Sequence, residues 1–148
     1  MFARAAAKSF TRFSSSQIAI RSMSRKVVST TNAPAALGPY SQAIVSDNTV
    51  YVSGQIPINP ASGEIEAKDI TGQTEQVLKN LEAVLVASGS SIANVVKTTC
   101  FLDDINEWPA MNDVYAKVFH TSPPARSAFE VGKLPKNAKI EIEAIAKL

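Results

Sequence analysis

The chain has 148 residues, of which 45% are hydrophobic and 19% charged, so we expect one packed domain rather than a disordered chain. The formal charge of +2 is unevenly distributed. Residues 1–26 hold six basic residues and no acid, which leaves nine basic and thirteen acidic residues, a net charge of −4, in residues 27–148. This acidic body argues against nucleic acid as a partner.

The chain has a single cysteine, Cys100, and a single histidine, His120. An internal disulfide is therefore excluded, and a Cys/His zinc site would have too few ligands. No G-x-S-x-G motif supports a catalytic triad around His120. No apolar run approaches the roughly 18–20 residues of a membrane span. We expect a soluble protein with no metal and no membrane partner.

The N-terminal segment 1–26 is rich in Arg, Ala and Ser, with three phenylalanines among its basic residues. This composition predicts a basic amphipathic helix of the mitochondrial targeting type, and hence the mitochondrial matrix. A disordered basic tail is the alternative. An internal start at Met23 would give a cytoplasmic product, and the C-terminal Ala146-Lys147-Leu148 resembles a peroxisomal address.

The predicted elements of the body begin with a hairpin, residues 41–46 and 49–53, around a turn at Asp47-Asn48. A helix is predicted over residues 70–88, with Gly89 as its C-terminal cap. Its apolar residues follow the 3.6-residue period: Val77, Leu78, Leu81, Val84 and Leu85.

The C-terminal half predicts a strand over 95–102, a helix over 107–119, and strands over 127–131 and 139–146. In the first of these strands, the alternation places Val95, Lys97, Thr99 and Phe101 on one side. In the helix, Pro109 fits the first turn, and one face is apolar: Trp108, Met111, Val114, Tyr115 and Val118.

The element order β-β-α-β-α-β-β predicts an α+β fold, a mixed sheet with two helices packed on one face. The other face must then meet water or another subunit. Four apolar residues assigned to that face favour a subunit contact: Val50, Val52, Phe101 and Phe129.

Three segments place chemistry-bearing residues next to apolar elements. Tyr40 follows a Gly-Pro turn, Gly54 permits close backbone approach at a strand end, and Arg126 begins a strand and would act with Glu141. A structural role is the alternative for each: a core phenol, a β-bulge, and a surface ion pair worth under ~1 kcal/mol.

Four motifs in register resemble the Rid family of reactive intermediate deaminases. They are NAPAALGPYSQA at 32–43, VSGQIP at 52–57, PARS at 124–127 and LPKNAKIEIEAIA at 134–146, so the resemblance spans residues 27–148 as a single domain. It implies a chorismate-mutase-like fold, a homotrimer with sites between subunits, and no metal or organic cofactor. The implied activity is hydrolysis of 2-imino acids, released by pyridoxal-phosphate dehydratases, to 2-oxo acids and ammonia.

The resemblance implies catalytic roles for Arg126, Glu141 and Tyr40. Arg126 offers a planar fork for the substrate carboxylate, and Glu141 would hold water and exchange protons. The implied substrate contacts come from the VSGQIP motif and from the strand that Arg126 begins: Ser53, Gly54, Arg126, Ser127 and Ala128. Many relatives have Cys where this chain has Ala128, and we expect turnover to survive that difference.

Two other functions compete with this interpretation. A non-enzymatic trimer could use Arg126 to bind a carboxylate metabolite or to dock on a partner enzyme. A ribonuclease or translation inhibitor, a role attached to some members of the family, finds little support in a body of net charge −4.

Overall fold

The computed structural model describes residues 25–148, which form a six-stranded sheet covered by two helices. The elements in chain order are β1 Arg25–Val28, β2 Ala43–Ser46, β3 Thr49–Gln55, α1 Ile70–Ala87, β4 Val95–Leu102, α2 Trp108–Val118, β5 Ala125–Glu130 and β6 Ile140–Lys147. Short 3-10 turns lie at Ile92–Asn94, Ile105–Glu107 and Pro135–Asn137. Within residues 25–148, no helix combines the length and apolar character needed to cross a bilayer.

The sheet has the strand order β1-β2-β3-β6-β4-β5. All neighbouring strands are antiparallel except β4 and β5, which are parallel and connected through α2. A parallel pair needs such a crossover, because a hairpin can join only antiparallel strands. The predicted α+β mixed sheet with two helices on one face is confirmed.

Helix α1 has both its ends capped by local hydrogen bonds. The Asp69 side chain accepts from the backbone N–H of Gly72 at 2.9 Å, which satisfies a free donor of the first turn. At the other end Gly89 has φ +87°, and the N–H of Ser90 donates to the carbonyl of Leu85 at 2.9 Å. This is a Schellman ending, as the glycine predicted.

The main hydrophobic core lies between the two helices and one face of the sheet. All five apolar residues predicted for α1 are buried there, together with Met111, Val114 and Tyr115 of α2. The same sheet face contributes Val50, Cys100, Leu102, Ile140 and Ile142. We call this side the helix face and the opposite side the open face.

Strand β1 was not predicted from the sequence. Its first two residues, Arg25 and Lys26, pair with Ser46 and Val45 of β2, within the range assigned to the targeting segment. An edge strand has one neighbour, and only Val28 of the four residues is buried, so β1 shows no hydrophobic alternation. The rest of the predicted targeting segment lies outside the described residues.

The predicted sides of β4 are wrong at its start. The register with β6 shifts between Val95 and Lys97, and this bulge turns Val95 into the core and leaves Val96 exposed. After the bulge Thr98, Cys100 and Leu102 follow on the helix face.

The predicted composition of the open face is also corrected. Val50 and Val52 are buried on the helix face, not on the open one. The open face still carries apolar groups, because Phe101 and Phe129 meet edge to face with ring centroids 5.3 Å apart, and Tyr51 is exposed. This face therefore retains the apolar surface from which a subunit contact was predicted.

Candidate active site

A cleft of about 460 Å³ opens where the end of β3 and the start of β6 meet the loop before β2. Four of the predicted site residues line it: Tyr40, Ser53, Gly54 and Glu141. The remaining walls come from Leu37, Gly38, Ile56, Pro135 and Glu143. Residues almost 90 positions apart are thus brought together by the pairing of β3 with β6.

Glu141 occupies the space that a side chain at residue 54 would fill. A Cβ built on Gly54 would overlap the Glu141 carboxylate and lie 2.7 Å from its Cδ. The pairing of β3 and β6 is also irregular between Val52 and Gln55, so Gly54 lies in a bulge. The two interpretations of Gly54, a site of close backbone approach and a β-bulge, are therefore both correct. The bulge is the place where the Glu141 carboxylate can approach the backbone.

The Glu141 carboxyl group lies in an environment that disfavours its ionised form. Burial raises its pKa above the usual range, and the negative charge of Glu143 raises the pKa further. The two residues are two positions apart on β6, so both side chains are on the open face. The carboxyl group of Glu141 is thereby adapted to exchange protons at higher pH than an exposed glutamate.

Tyr40 presents its phenol at the mouth of the cleft and is 49% exposed, so it is not a core residue. Its oxygen accepts a hydrogen bond from the backbone N–H of Leu37 at 3.1 Å, which leaves the phenolic proton available as a donor. Ser53 differs, since its Oγ donates to the carbonyl of Ser41 at 2.7 Å. The Ser53 hydroxyl can therefore only accept a hydrogen bond from a ligand.

A buried amide holds the loop that carries Tyr40. The Oε1 of Gln42 accepts from the N–H of Thr30 at 2.7 Å, and its Nε2 donates to the carbonyl of Pro34 at 2.7 Å. These bonds join Gln42, directly before β2, to the beginning and to the interior of the loop. The loop that carries the phenol is thus held by hydrogen bonds within the fold.

Arg126 lies in a different environment, against the side of α2. The guanidinium Cζ is 4.4 Å from the ring centroid of Tyr115 and 5.6 Å from that of Trp108. Its Nη2 donates to Oδ1 of Asn112 at 2.8 Å. The guanidinium plane is therefore held by two aromatic rings and one amide.

Arg126 and Glu141 lie on opposite faces of the sheet. Arg126 is paired with Thr98 of β4, whereas Glu141 is paired with Phe101 of the same strand. Thr98 and Phe101 are three residues apart in a regular stretch, so they point to opposite faces. The two predicted catalytic residues do not meet within one copy of the chain, and the surface ion pair considered as an alternative is absent.

The other two predicted residues of β5 are also outside the cleft. The Oγ of Ser127 accepts from Nζ of Lys97 at 2.8 Å on the open face. Ala128 packs against the main core on the helix face. The predicted site residues are therefore divided into two groups. The cleft group is Tyr40, Ser53, Gly54 and Glu141, and the β5 group is Arg126, Ser127 and Ala128.

The cleft is lined by two acidic side chains and, among the described residues, by no basic one. The acids are Glu141 and Glu143, and Lys97 lies near Glu143 in an adjoining depression of the open face without lining the cleft. An anionic ligand would be repelled by these carboxylates unless a cation is brought to the cleft from outside. The half-buried guanidinium of Arg126 suits this role, but within one copy of the chain it lies on the opposite face of the sheet.

Sequence reasoning did not identify Glu143 or the three contacts of Arg126. A signal existed for both. Glu143 follows Glu141 at the spacing that shares a strand face, and Asn112 lies on the same side of α2 as Trp108 and Tyr115, at helical spacings i, i+4 and i+7. A polar residue on an apolar helical stripe is compatible with a hydrogen-bonding partner, but it does not identify that partner.

Residues 25–148 contain no group of three or more His, Cys, Asp or Glu side chains placed to hold a metal ion. The one cysteine among them, Cys100, is buried in the core. The ionisable groups that the structure places at the candidate site are carboxylates, a phenol and, on β5, a guanidinium.

Comparison with known proteins places this architecture in a family. The family model described as Endoribonuclease L-PSP matches residues 30–148. The 2-iminobutanoate/2-iminopropanoate deaminase of Capra hircus is 48% identical over 125 residues, 84% of this chain and 91% of that protein. A Yersinia pestis structure, YyfA of the conserved Rid protein family, has a TM-score of 0.82 and 51% identity, covering 84% of this chain and 100% of that one.

This chain belongs to the Rid family. The family predicted from four sequence motifs is thereby confirmed, and so is the fold class. A plant relative, the chloroplastic Reactive Intermediate Deaminase A of Arabidopsis thaliana, is 48% identical over 136 residues, 92% of this chain and 73% of that protein. The site roles predicted from the resemblance remain predictions, for residues that the structure places in the two groups described above.

Proposed function

We propose that this protein hydrolyses 2-imino acids, such as 2-iminobutanoate and 2-iminopropanoate with its tautomer 2-aminoacrylate. Water adds to the C=N carbon, the C–N bond then breaks, and the products are a 2-oxo acid and ammonia. Relatives with the deaminase name support this activity. Removal of such electrophiles would protect the pyridoxal-phosphate enzymes that release them.

The observation that carries the proposal is the division of the site. Among the described residues, no basic side chain lines the acidic cleft over Gly54, and no carboxylate pairs with the pre-positioned guanidinium on β5. A closed ring of identical copies would satisfy both, with Arg126 of one copy facing the cleft of the next. The apolar open face supplies surface for that contact, and we propose the homotrimer of the Rid resemblance as its form.

In this site Arg126 would grip the substrate carboxylate through two charge-assisted hydrogen bonds. Glu141 as carboxylate would accept a proton from the attacking water and, once protonated, deliver it to the nitrogen. The phenol of Tyr40 can donate a hydrogen bond to the substrate or to the developing alcohol. Imines are already electrophilic, so positioning and proton transfer suffice without a covalent intermediate.

An endoribonuclease activity, the name given to the family model, is not favoured by the charges of the site. Both ionisable acids of the cleft would repel a phosphate backbone. The Arg126 guanidinium is a single cation rather than a basic stripe. The small carboxylate substrate agrees better with one guanidinium and a cleft of about 460 Å³.

The activity is tested by generating 2-iminobutanoate in situ from threonine and a dehydratase, with semicarbazide competing for the imine. Wild-type protein should accelerate loss of the imine, and Arg126→Ala should abolish the acceleration. Lys117→Ala, which removes an exposed cation at the end of α2, is the matched control and should retain full rate. An unchanged rate in Arg126→Ala would remove the carboxylate anchor from the proposal.

The shared site is tested by mixing two inactive variants, Arg126→Ala and Glu141→Gln, after joint unfolding and refolding. Random assembly at equal amounts joins an intact Arg126 to an intact Glu141 at about one quarter of the interfaces, so about a quarter of wild-type activity should return. A site within one copy predicts no recovery, because each copy lacks one group.

We propose the mitochondrial matrix as the location, on the composition of residues 1–26 alone. A fluorescent protein fused after residue 148 would mask the C-terminal tripeptide and should report mitochondria. The same fusion starting at Met23 should remain in the cytoplasm. A mitochondrial signal from the shorter form would contradict the assignment.

A further inference from the structure

We propose that Asn112, together with Trp108 and Tyr115, positions the Arg126 guanidinium so that one of its edges faces a ligand carboxylate, and that Asn112 must be a neutral acceptor. The inference depends on the proposed function, since it concerns the same carboxylate anchor. It assigns a role to three residues of α2 that do not line the acidic cleft.

The direction of the Asn112 amide follows from its partner. Arginine has only donors, so the group that meets Nη2 at 2.8 Å must be the amide oxygen. The contact therefore uses one N–H of the guanidinium and leaves the other donors free. A carboxylate that binds two parallel N–H groups needs one free edge of the fork, which this arrangement provides.

The plane of the guanidinium is set by the aromatic rings. Tyr115 lies 4.4 Å below Cζ and is itself fixed, because its hydroxyl shares a 2.7 Å hydrogen bond with Oγ1 of Thr98. Its ring also packs on Phe119, with centroids 4.5 Å apart. Arg126 thus stacks on a platform anchored in the core, which reduces the rotamer freedom that ligand binding would otherwise have to remove.

Because the Asn112 side chain is neutral, it can accept a hydrogen bond from Arg126 without neutralising the guanidinium charge. An aspartate at this position would place a full negative charge 2.8 Å from the guanidinium and would compete with the ligand for it. A neutral carbonyl oxygen orients the guanidinium and leaves its charge for the substrate. The site therefore needs an acceptor without a charge, and Asn supplies one with almost the shape of Asp.

The test compares Asn112→Asp with Asn48→Asp, which adds the same charge at the exposed tip of the β2–β3 hairpin. For Asn112→Asp we expect KM for the imine to rise about tenfold or more with kcat nearly unchanged, the pattern of lost uniform binding. The Ki of the product 2-oxobutanoate should rise in parallel. Asn48→Asp should match wild type in all three constants.

A second pair of variants tests the platform. Tyr115→Phe keeps the ring but loses the bond to Thr98, and Tyr115→Leu removes the stacking surface as well. We expect KM to rise modestly in the first and more in the second, in protein shown to be folded by circular dichroism. A purely structural role would lower the amount of folded protein without changing KM.

The outcomes separate this inference from the proposed function. Wild-type constants in Asn112→Asp, with Arg126→Ala inactive, would overturn the positioning role and leave the deaminase site intact. If Arg126→Ala is also fully active, the carboxylate anchor itself is wrong.

Discussion

The carboxylate of Glu141 lies directly over the α-carbon of Gly54, in space that any larger residue would occupy. The contact joins the end of β3 to the start of β6 across a local irregularity in their pairing. A glycine and a glutamate that are far apart in the sequence therefore act as one unit. The absence of a side chain at Gly54 leaves the space that the carboxylate of Glu141 occupies.

Gly54→Ala should displace Glu141 and lower kcat/KM by about tenfold to a hundredfold, since a small misplacement of a reacting group is costly. Gly132→Ala is the matched control, because a Cβ there meets nothing within 4 Å. Steady-state kinetics and thermal unfolding of both variants give the comparison. Full activity in Gly54→Ala would show that the Glu141 carboxylate need not be where it lies.

The negative charge of Glu143 should affect the pH dependence of kcat/KM through its effect on the pKa of Glu141. Burial is the first cause of the raised pKa of Glu141, and Glu143 is the second. Removing that charge in Glu143→Gln favours the ionised form of Glu141 and lowers its pKa. The acidic limb of the kcat/KM profile, where the base is lost as pH falls, should then shift to lower pH.

Glu82→Gln, at an exposed position of α1, controls for the loss of one negative charge and should leave the profile in place. A shift of equal size in both variants would assign the effect to net charge. A shift of the Glu143→Gln profile to higher pH would contradict the sign of the interaction.

Ala128→Cys should leave kcat and KM within about twofold of wild type, because it adds a single sulfur atom at a position that is only partly buried and lies outside the cleft. Ala128 packs against the main core, on the same strand face as Arg126. The side chain at 128 therefore points away from the acidic cleft of its own copy. A substantial gain of rate in the variant would show that a thiol at position 128 contributes to turnover in this protein.

Cys100 should resist alkylation in the folded protein. Burial raises the pKa of its thiol to about 11, and the side chain is fully buried, so both the thiolate fraction and its access to reagent are low. We expect iodoacetamide at pH 8 to modify the folded chain at least about a hundredfold more slowly than the urea-unfolded chain. Rapid modification of folded protein would reveal opening of the sheet near β4.

The helices and most of the sheet could be predicted because their hydrophobic periods are regular. The five core residues of α1 and the Gly89 ending followed from spacing alone. Val96 shows where this fails, because a bulge in β4 reverses the alternation and no local residue indicates it. Strand β1 was missed for another reason. It is a strand because it pairs with β2, and its own residues are mostly exposed and show no hydrophobic alternation.

The sequence allowed the site residues and their chemical roles to be predicted, but not their positions relative to one another. The resemblance linked Arg126 with Glu141, and the register of β4 separates them onto opposite faces. Strand order is a long-range property that one sequence does not display. The contact of Asn112 with Arg126 was missed because a single amide on a helix has several common explanations.

The pairing of β1 with β2 sets a limit on how far the N-terminus can be shortened. Cleavage after residue 26 would remove Arg25 and Lys26 and with them half of the pairs that hold this edge strand. A protease that matures the chain would have to cut upstream of Arg25 to leave the sheet intact. Translation from Met23 would satisfy the same limit, because the shorter chain would keep Arg25 and Lys26 and hence the whole of β1.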